Sequence, residues 1–361
     1  MIRLTIPTIE EDDLQAVREA VASGFLVQGK RVRAMESTIA SLVGTEHAVA
    51  VSSGTAALHL ALLALGLGRG DRVAVPAYSF PATANVVELV GATPVFVDIE
   101  EDTFAIDPEA LRQIGGPVSA VMPVHPFGQV ADTDGVGRAA PGVPMIEDGA
   151  AAFGASRNGR PAGALGTLGC FSFHPRKAIT TGEGGAVTTD DPALARTIRA
   201  LRNHGMDPDA AAPDFIMAGL NYRMTDFQAA LGVTQLAKVD RIVAGRRAAA
   251  ARYDALLQGT PIRAPIVAPG NWAVYQSYVT LVPPGVDRDA LIDRLREQQI
   301  ETQIGTYHIP MGSFFRERYG FRPGDFPVTD AVAARALTLP LHPAIEPDQQ
   351  AAVVEHLLAA L

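Results

Sequence analysis

The chain reads as an α/β protein: a large domain built on a mainly parallel sheet, followed by a smaller α+β domain. Three observations carry that reading. Short apolar runs alternate with helical patterns from about residue 12 to 240. The runs are nearly continuous rather than alternating with polar residues, as expected for strands covered on both faces. At 361 residues, 48% of them hydrophobic, the chain is long enough for one large core and one smaller one.

The expected strands are AVAVS (48–52), RVAVP (72–76), TPVFVD (93–98), SAVMPV (119–124) and VPMIED (143–148), with GGAVTT (184–189) later. Between them lie the helical stretches AALHLALLALG (56–66) and FPATANVVELVG (80–91), with Gly66 and Gly91 where C-terminal caps belong. In DPALARTIRALRNHG (191–205), Asp191 caps a helix that has Pro192 in its first turn. Thr225 and Gln228 have capping-box spacing, and Leu231, Leu236, Val239, Ile242 and Val243 follow. This predicts one long helix from about Met224 to Leu257, leading into the second domain. The boundary is placed at 240/241. Beyond it, 275–282 reads as a strand, 264–271 as a loop, and 287–299 and 348–361 as helices.

Composition excludes several classes. The net charge of −9 argues against a nucleic-acid partner. The single cysteine, Cys170, allows no intramolecular disulfide and no cysteine-rich metal site, and its setting in LGCFSF reads as a buried small hydrophobe. The eight histidines are scattered without ligand spacing, so no metal is expected; His125, His174 and His308 read as pocket-wall candidates. No apolar run approaches the roughly 18 residues of a membrane span, and the N-terminus turns acidic without an apolar core. A cytoplasmic protein without a membrane partner is the expectation.

The chemistry is concentrated in SFHPRKAITTGEGGA (172–186). Lys177 stands there between two buried strands, before a loop rich in Gly and Thr. A lysine is costly to bury unless its amine is consumed, as in a Schiff base. Asp148 ends the VPMIED run, at the carboxyl end of a strand. An acid and a lysine held at the core of an α/β sheet point to pyridoxal phosphate (PLP). Lysine would hold the aldehyde, and aspartate would keep the ring nitrogen protonated. Glu147, next along the strand, should face the other way.

The turn SSGTAALHL (52–60) follows a strand and opens a helix, whose N-terminus suits a phosphate. Gly54 permits close approach and Thr55 adds a hydroxyl, although small polar residues cap many helices. Ser172 offers another hydroxyl or is an ordinary strand serine. Phe80, past the end of a strand, is the candidate to stack on a ring; Tyr78 competes with it.

These segments together resemble the DegT/StrS family, nucleotide-sugar aminotransferases with the aspartate-aminotransferase fold, PLP-dependent fold type I. SGFLVQGKRVRAMES (23–37), SSGTAALHLAL (52–62), VPAYSFPATAN (75–85), PVHPFGQ (123–129), IEDGAA (146–151), SFHPRKAITTGEGGA (172–186) and NYRMTDFQAALG (221–232) carry the likeness over nearly the whole chain. The resemblance implies Lys177 as base and Schiff-base former, Asp148 on the ring nitrogen and Phe80 stacked on the ring. It implies Thr55, Ala56 and Ser172 on the phosphate, and Asn221 on the phosphate of a neighbouring subunit. That last role implies a homodimer with shared active sites. The small-molecule substrates would be an amino donor, L-glutamate, and a nucleotide-linked keto-sugar or cyclitol ketone.

The chain departs from the family's pattern at Ala151, where a glutamine is usual, at Phe153, where a histidine is common, and at Gly312 in TYHIPMG (306–312). The first two predict a more apolar pocket. Two other readings stay open: elimination or carbon–carbon bond chemistry on the same cofactor, and a non-catalytic regulatory relative.

Overall fold

The computed structural model describes residues 1–361. Seven strands form the central sheet: β1 (His47–Val51), β2 (Arg72–Pro76), β3 (Thr93–Val97), β4 (Ala120–Val121), β5 (Ile146–Asp148), β6 (Leu168–Ser172) and β7 (Gly185–Thr189). Their order is β3-β2-β4-β5-β6-β7-β1, with parallel bridges Val121–Met145 and Val124–Asp148 joining β4 to β5. Only β7 runs antiparallel to the rest. The mainly parallel sheet expected from the apolar runs is present, although β4 and β5 are shorter than their apolar segments.

Helices cover both faces. On one side lie α1 (Glu11–Ala22), α2 (Lys30–Val43) and, later in the chain, the segment around Asp226–Lys238. On the other lie α3 (Gly54–Ala64), α4 (Ala82–Leu89) and α5 (Pro192–Leu201). The α3 face is a cluster of 27 buried residues, including Ile146, Leu168 and Cys170 of the sheet. The α2 face is a cluster of 22, including Phe171 and Phe173. Strand alternation along β6 therefore sends Cys170 one way and Phe171 the other. The caps at Gly66 and Gly91 have φ of +72° and +84°, the left-handed conformation that glycine tolerates.

The single helix expected from Met224 to Leu257 is two: α6 (Asp226–Leu236) and α7 (Val239–Leu257). The break falls at Lys238. Its ammonium reaches back to α1 and pairs with Asp12 at 2.5 Å and Asp13 at 2.8 Å. Asp13 is fully buried and Lys238 nearly so, so this cluster sets the chain path more strongly than helical periodicity does. The capping box at Thr225 and Gln228 is present at the start of α6. Beside it, buried Asp226 accepts the amides of Arg31 and Val32 at 2.9 and 3.0 Å and so closes the N-terminus of α2.

The first half of α7 packs on the sheet through Val239, Ile242 and Val243, and its second half enters a separate core through Ala249, Ala250, Tyr253 and Leu257. That core also holds the antiparallel strands β8 (Tyr278–Leu281), β9 (Gln303–Ile304) and β10 (Ala336–Leu339), with α8 (Arg288–Glu297) and α9 (Pro347–Ala359). The N-terminal residues join it: Ile2 bridges Ile300 in parallel. No helix is long and apolar enough to cross a membrane.

Two neighbouring acids of β5 face opposite sides. Glu147 is fully buried on the α2 face and accepts four hydrogen bonds: from His125 Nε2 (2.8 Å) and from the amides of Gly163 (2.8 Å), Leu165 (2.7 Å) and Gly166 (2.7 Å). The His125 Nδ1 atom accepts the Ala131 amide at 3.2 Å, which leaves the proton on Nε2. His125 is thus a core residue, not the pocket wall expected of it.

Burial alone would raise the Glu147 carboxyl; the His125 bond and the amides of Gly163 and Gly166 outweigh it and hold it below the ordinary carboxylate value. Its stabilising contribution is then complete above that ordinary value and is lost as pH falls through the depressed one. Glu147→Gln should cost about 3 kcal/mol at neutral pH. Urea midpoints measured from pH 7 down to 3 should converge for wild type and variant as the wild-type carboxylate protonates.

Candidate active site

The predicted site residues sit at the carboxyl ends of the parallel strands, where open α/β sheets bind ligands. After β1 the chain turns into α3 at Ser53; Phe80 follows the short strand Tyr78–Ser79 beyond β2; Asp148 ends β5; Ser172 ends β6. Lys177 lies on the loop from β6 to β7, where its amide donates to the His174 carbonyl at 2.8 Å. The Thr180 hydroxyl and the Thr181 amide both bond the Phe173 carbonyl at 2.9 Å, and the Phe173 amide bonds Gly184. The Gly/Thr-rich loop is thereby folded back on β6.

Asp148 is buried and firmly oriented. Thr83 of α4 donates to its Oδ2 at 2.8 Å, the Ala150 amide to its Oδ1 at 3.2 Å, and Ser79 bonds Thr83 at 2.9 Å. Thr83 and Ser79 were not singled out by sequence reasoning. Their signal was present in YSFPAT, two hydroxyls four residues apart around the first turn of a helix.

Lys177 is half-buried and close enough to Asp148 to feel its charge. Burial lowers its pKa from the ordinary lysine value, Asp148 opposes that shift, and Arg176 adds to it. The chain has only three lysines. Lys238 is consumed by its three acids, and Lys30 is an exposed residue at the start of α2. Lys177 alone combines a free amine, a depressed pKa and an acid aimed at the same space.

At the start of α3, the amides of Gly54 and Thr55 have no hydrogen-bond partner, while Ser53 caps the Ala56 amide at 3.1 Å. A Cβ on Gly54 would lie 2.7 Å from the Ser172 Cβ. Glycine is therefore required for the helix to close on the end of β6, and the closure brings Gly54, Thr55 and Ser172 together around two free amides. Free amides at a helix start, a serine hydroxyl beside them, one unpaired lysine and one oriented acid match the groups of PLP in kind: phosphate, aldehyde and ring nitrogen.

Phe80 is 63% exposed, with its ring edge-on to Tyr307 at 6.0 Å between centroids, whereas Tyr78 is 1% exposed and accepts the Thr306 amide at 3.0 Å. Tyr78 is thus core, and Phe80 is the aromatic left facing outward. Asn221 is exposed and its side chain makes no hydrogen bond within the chain; its neighbour Tyr222 accepts the Ser52 amide at 2.9 Å.

The pocket expected from Ala151 and Phe153 is not formed by Phe153. That ring is buried against Phe171 and Phe173, 5.1 and 5.8 Å between centroids, on the sheet face opposite Asp148. An apolar side chain there completes the core. His308 pairs with Asp330 at 2.8 Å, and His174 borders a groove beside the Lys177 loop.

The comparisons agree with this geometry. Residues 7–358 match the model of the DegT/DnrJ/EryC1/StrS aminotransferase family, and the chain belongs to that family. DesV from S. venezuelae, solved in complex with a ketimine intermediate, shares 33% identity and a TM-score of 0.89, covering 96% of this chain and 93% of that one. Helicobacter pylori PseC, an aminotransferase involved in the biosynthesis of pseudoaminic acid, shares 26% identity and a TM-score of 0.93, over 99% and 98% of the two chains. Spr1654 from Streptococcus pneumoniae, solved in a PLP-form, shares 28% identity and a TM-score of 0.94, over 99% and 98%. The protein is a PLP-dependent aminotransferase with the fold of that class.

The direction of the Lys177 shift is open to direct test. Competitive trinitrobenzenesulfonate labelling of the cofactor-free protein should give a pH midpoint for Lys177 below that of an ordinary lysine. Asp148→Asn removes the opposing charge, so the midpoint should fall further. A rise would contradict the assigned coupling.

Proposed function

We propose that the protein moves an amino group from an amino-acid donor, L-glutamate, to the keto group of a nucleotide-linked keto-deoxysugar or a related keto-sugar or cyclitol. The observation that carries this reading is the convergence of Lys177 and Asp148 at the carboxyl edge of the sheet, in a chain whose other lysines are engaged or exposed. The family and its solved members, among them an aminotransferase of pseudoaminic acid biosynthesis, support a sugar acceptor.

PLP supplies an aldehyde that takes up the donor amine and a ring that withdraws electrons from the adjacent carbon. The chain's residues do the rest. Asp148, held by Thr83 and the Ala150 amide, keeps a proton on the ring nitrogen. The free amides of Gly54 and Thr55, with Ser172 and the Ala56 turn, hold the phosphate. Phe80, exposed past the end of its strand, would stack on one face of the ring. Lys177 would anchor the cofactor, and its amine, whose pKa burial lowers, would then be placed to move a proton at the substrate carbon.

We assign Asn221 to the phosphate of a second subunit and the protein to a homodimer. The exposed side chain of Asn221 supports this, as do the outward-facing Phe25, Val27 and Phe215, which are 77%, 70% and 61% exposed. Residues 1–240 and 241–361 are taken as the two domains, and a cytoplasmic location fits the absence of a membrane-length apolar helix.

Purified protein with PLP should show the yellow absorption band of a lysine-bound cofactor. L-Glutamate should convert that band to the absorption of the aminated cofactor. Lys177→Ala should lose the band and at least 1,000-fold in kcat. A wild-type band that ignores glutamate would refute the donor assignment.

A further inference from the structure

Arg246 is a fully buried cation that the chemistry described above leaves unused. It is 1% exposed and pairs with no carboxylate. Burial lowers its pKa to about 10, so it stays protonated at neutral pH. Its Nε is buried without an acceptor. A charge buried on these terms is costly, and an apolar side chain of similar volume would spare the cost. What the guanidinium gains is a set of main-chain carbonyls.

Arg246 stands on α7 between Val243, which packs on the sheet, and Ala249, which enters the C-terminal core. Its guanidinium reaches three separate segments. Nη1 donates to the carbonyls of Gln276 (3.0 Å), Tyr275 (3.4 Å) and Leu341 (3.4 Å), and Nη2 donates to the Lys177 carbonyl (3.4 Å). The helix is pressed against the Leu341 segment: a Cβ on Gly245 would lie 2.9 Å from the Pro343 Cβ. A planar fork can span carbonyls in this way, and a compact ammonium cannot.

The 275–277 turn held by Arg246 is strained. Tyr275 has φ of +48°, and Phe127, whose carbonyl accepts the Ser277 amide, has φ of +55°. Such a turn persists only where its surroundings over-determine it. Its product is the placement of the Gln276 side chain. Gln276 Nε2 donates to the Arg176 carbonyl at 2.9 Å, and the Ser277 hydroxyl donates to Gln276 Oε1 at 3.1 Å. The main chain at Lys177 is therefore gripped at three points. Its amide bonds the His174 carbonyl, the carbonyl before it accepts Gln276, and its own carbonyl accepts Arg246.

We propose that Arg246 is a positioning residue for Lys177. It fixes the 275–277 turn, and through Gln276 and its own contact with the Lys177 carbonyl it sets where the lysine amine stands. Arg246 itself touches no reacting atom. The inference rests on the reading that Lys177 takes the cofactor aldehyde. In that step the amine condenses with the aldehyde carbon, a C=N bond forms and the aldehyde oxygen leaves as water. Misplacing a reacting group by about 1 Å can cost on the order of 100-fold in rate, so a loosened lysine should react more slowly.

The test is the rate at which the full-length protein, freed of cofactor, turns yellow on mixing with PLP. It is read as a maximal rate and a half-saturating PLP concentration. Arg246→Met should lower the maximal rate at least tenfold, and Gln276→Met at least threefold. The half-saturating concentration should stay within twofold, because Gly54, Thr55 and Ser172 are untouched. Hydrogen exchange of the PLP-loaded Arg246→Met protein should accelerate in the 174–182 segment while β5 and β6 keep their wild-type protection.

An unchanged maximal rate in either folded variant would overturn the proposal. So would a slowdown that appears only as a raised half-saturating concentration. Exchange that accelerates in β5 and β6 as much as in 174–182 marks a general loss of stability and would overturn it as well. If Arg246→Met does not fold, the maximal rate of Gln276→Met decides alone. Failure of the underlying reading looks different: the wild type gives no yellow band at all.

Discussion

The site depends on the Asp148 carboxylate and the way it is held. The residue closes β5, so its backbone is fixed by the sheet: its amide donates to the Pro123 carbonyl and its own carbonyl accepts the His125 amide. The Thr83 hydroxyl and the Ala150 amide then orient its two oxygens. A buried carboxylate held by two donors points one way, which is what a partner for a pyridinium nitrogen must do. Lys177 gains from the same arrangement. Burial lowers its pKa, and Asp148 opposes that shift.

Glu147 shows how one strand serves two purposes. Its side chain leaves β5 on the opposite face, where His125 and three backbone amides surround it. Those amides belong to the 163–166 turn, which packs against β6 through Gly163 and Gly169. The pair therefore ties the two strands that carry Asp148 and Ser172. Structural burial on one side of the sheet fixes the geometry of chemistry on the other.

Much of this was legible from residues alone. Continuous apolar runs announced a covered parallel sheet, period-two alternation separated Asp148 from Glu147, and chain order put Gly54, Phe80, Asp148 and Lys177 at successive strand ends. Counting lysines would have sharpened the reading, since three in the chain leave one candidate. Other features depend on contacts far apart in sequence. Lys238 breaks a helix because acids more than 200 residues upstream capture it, and periodicity cannot register that. His125 and Phe153 looked like pocket residues from their motifs, yet both turn into the core on the far face of the sheet. Thr83 acts through one hydroxyl whose partner lies 65 positions away.

The central claim is that Lys177 is the residue that carries the cofactor. Borohydride reduction of the PLP-loaded protein, followed by peptide mass mapping, tests it without reference to any substrate. The account predicts one phosphopyridoxyl group per chain, on the peptide containing Lys177. A label on Lys30 or Lys238, or none on the Lys177 peptide, would contradict it.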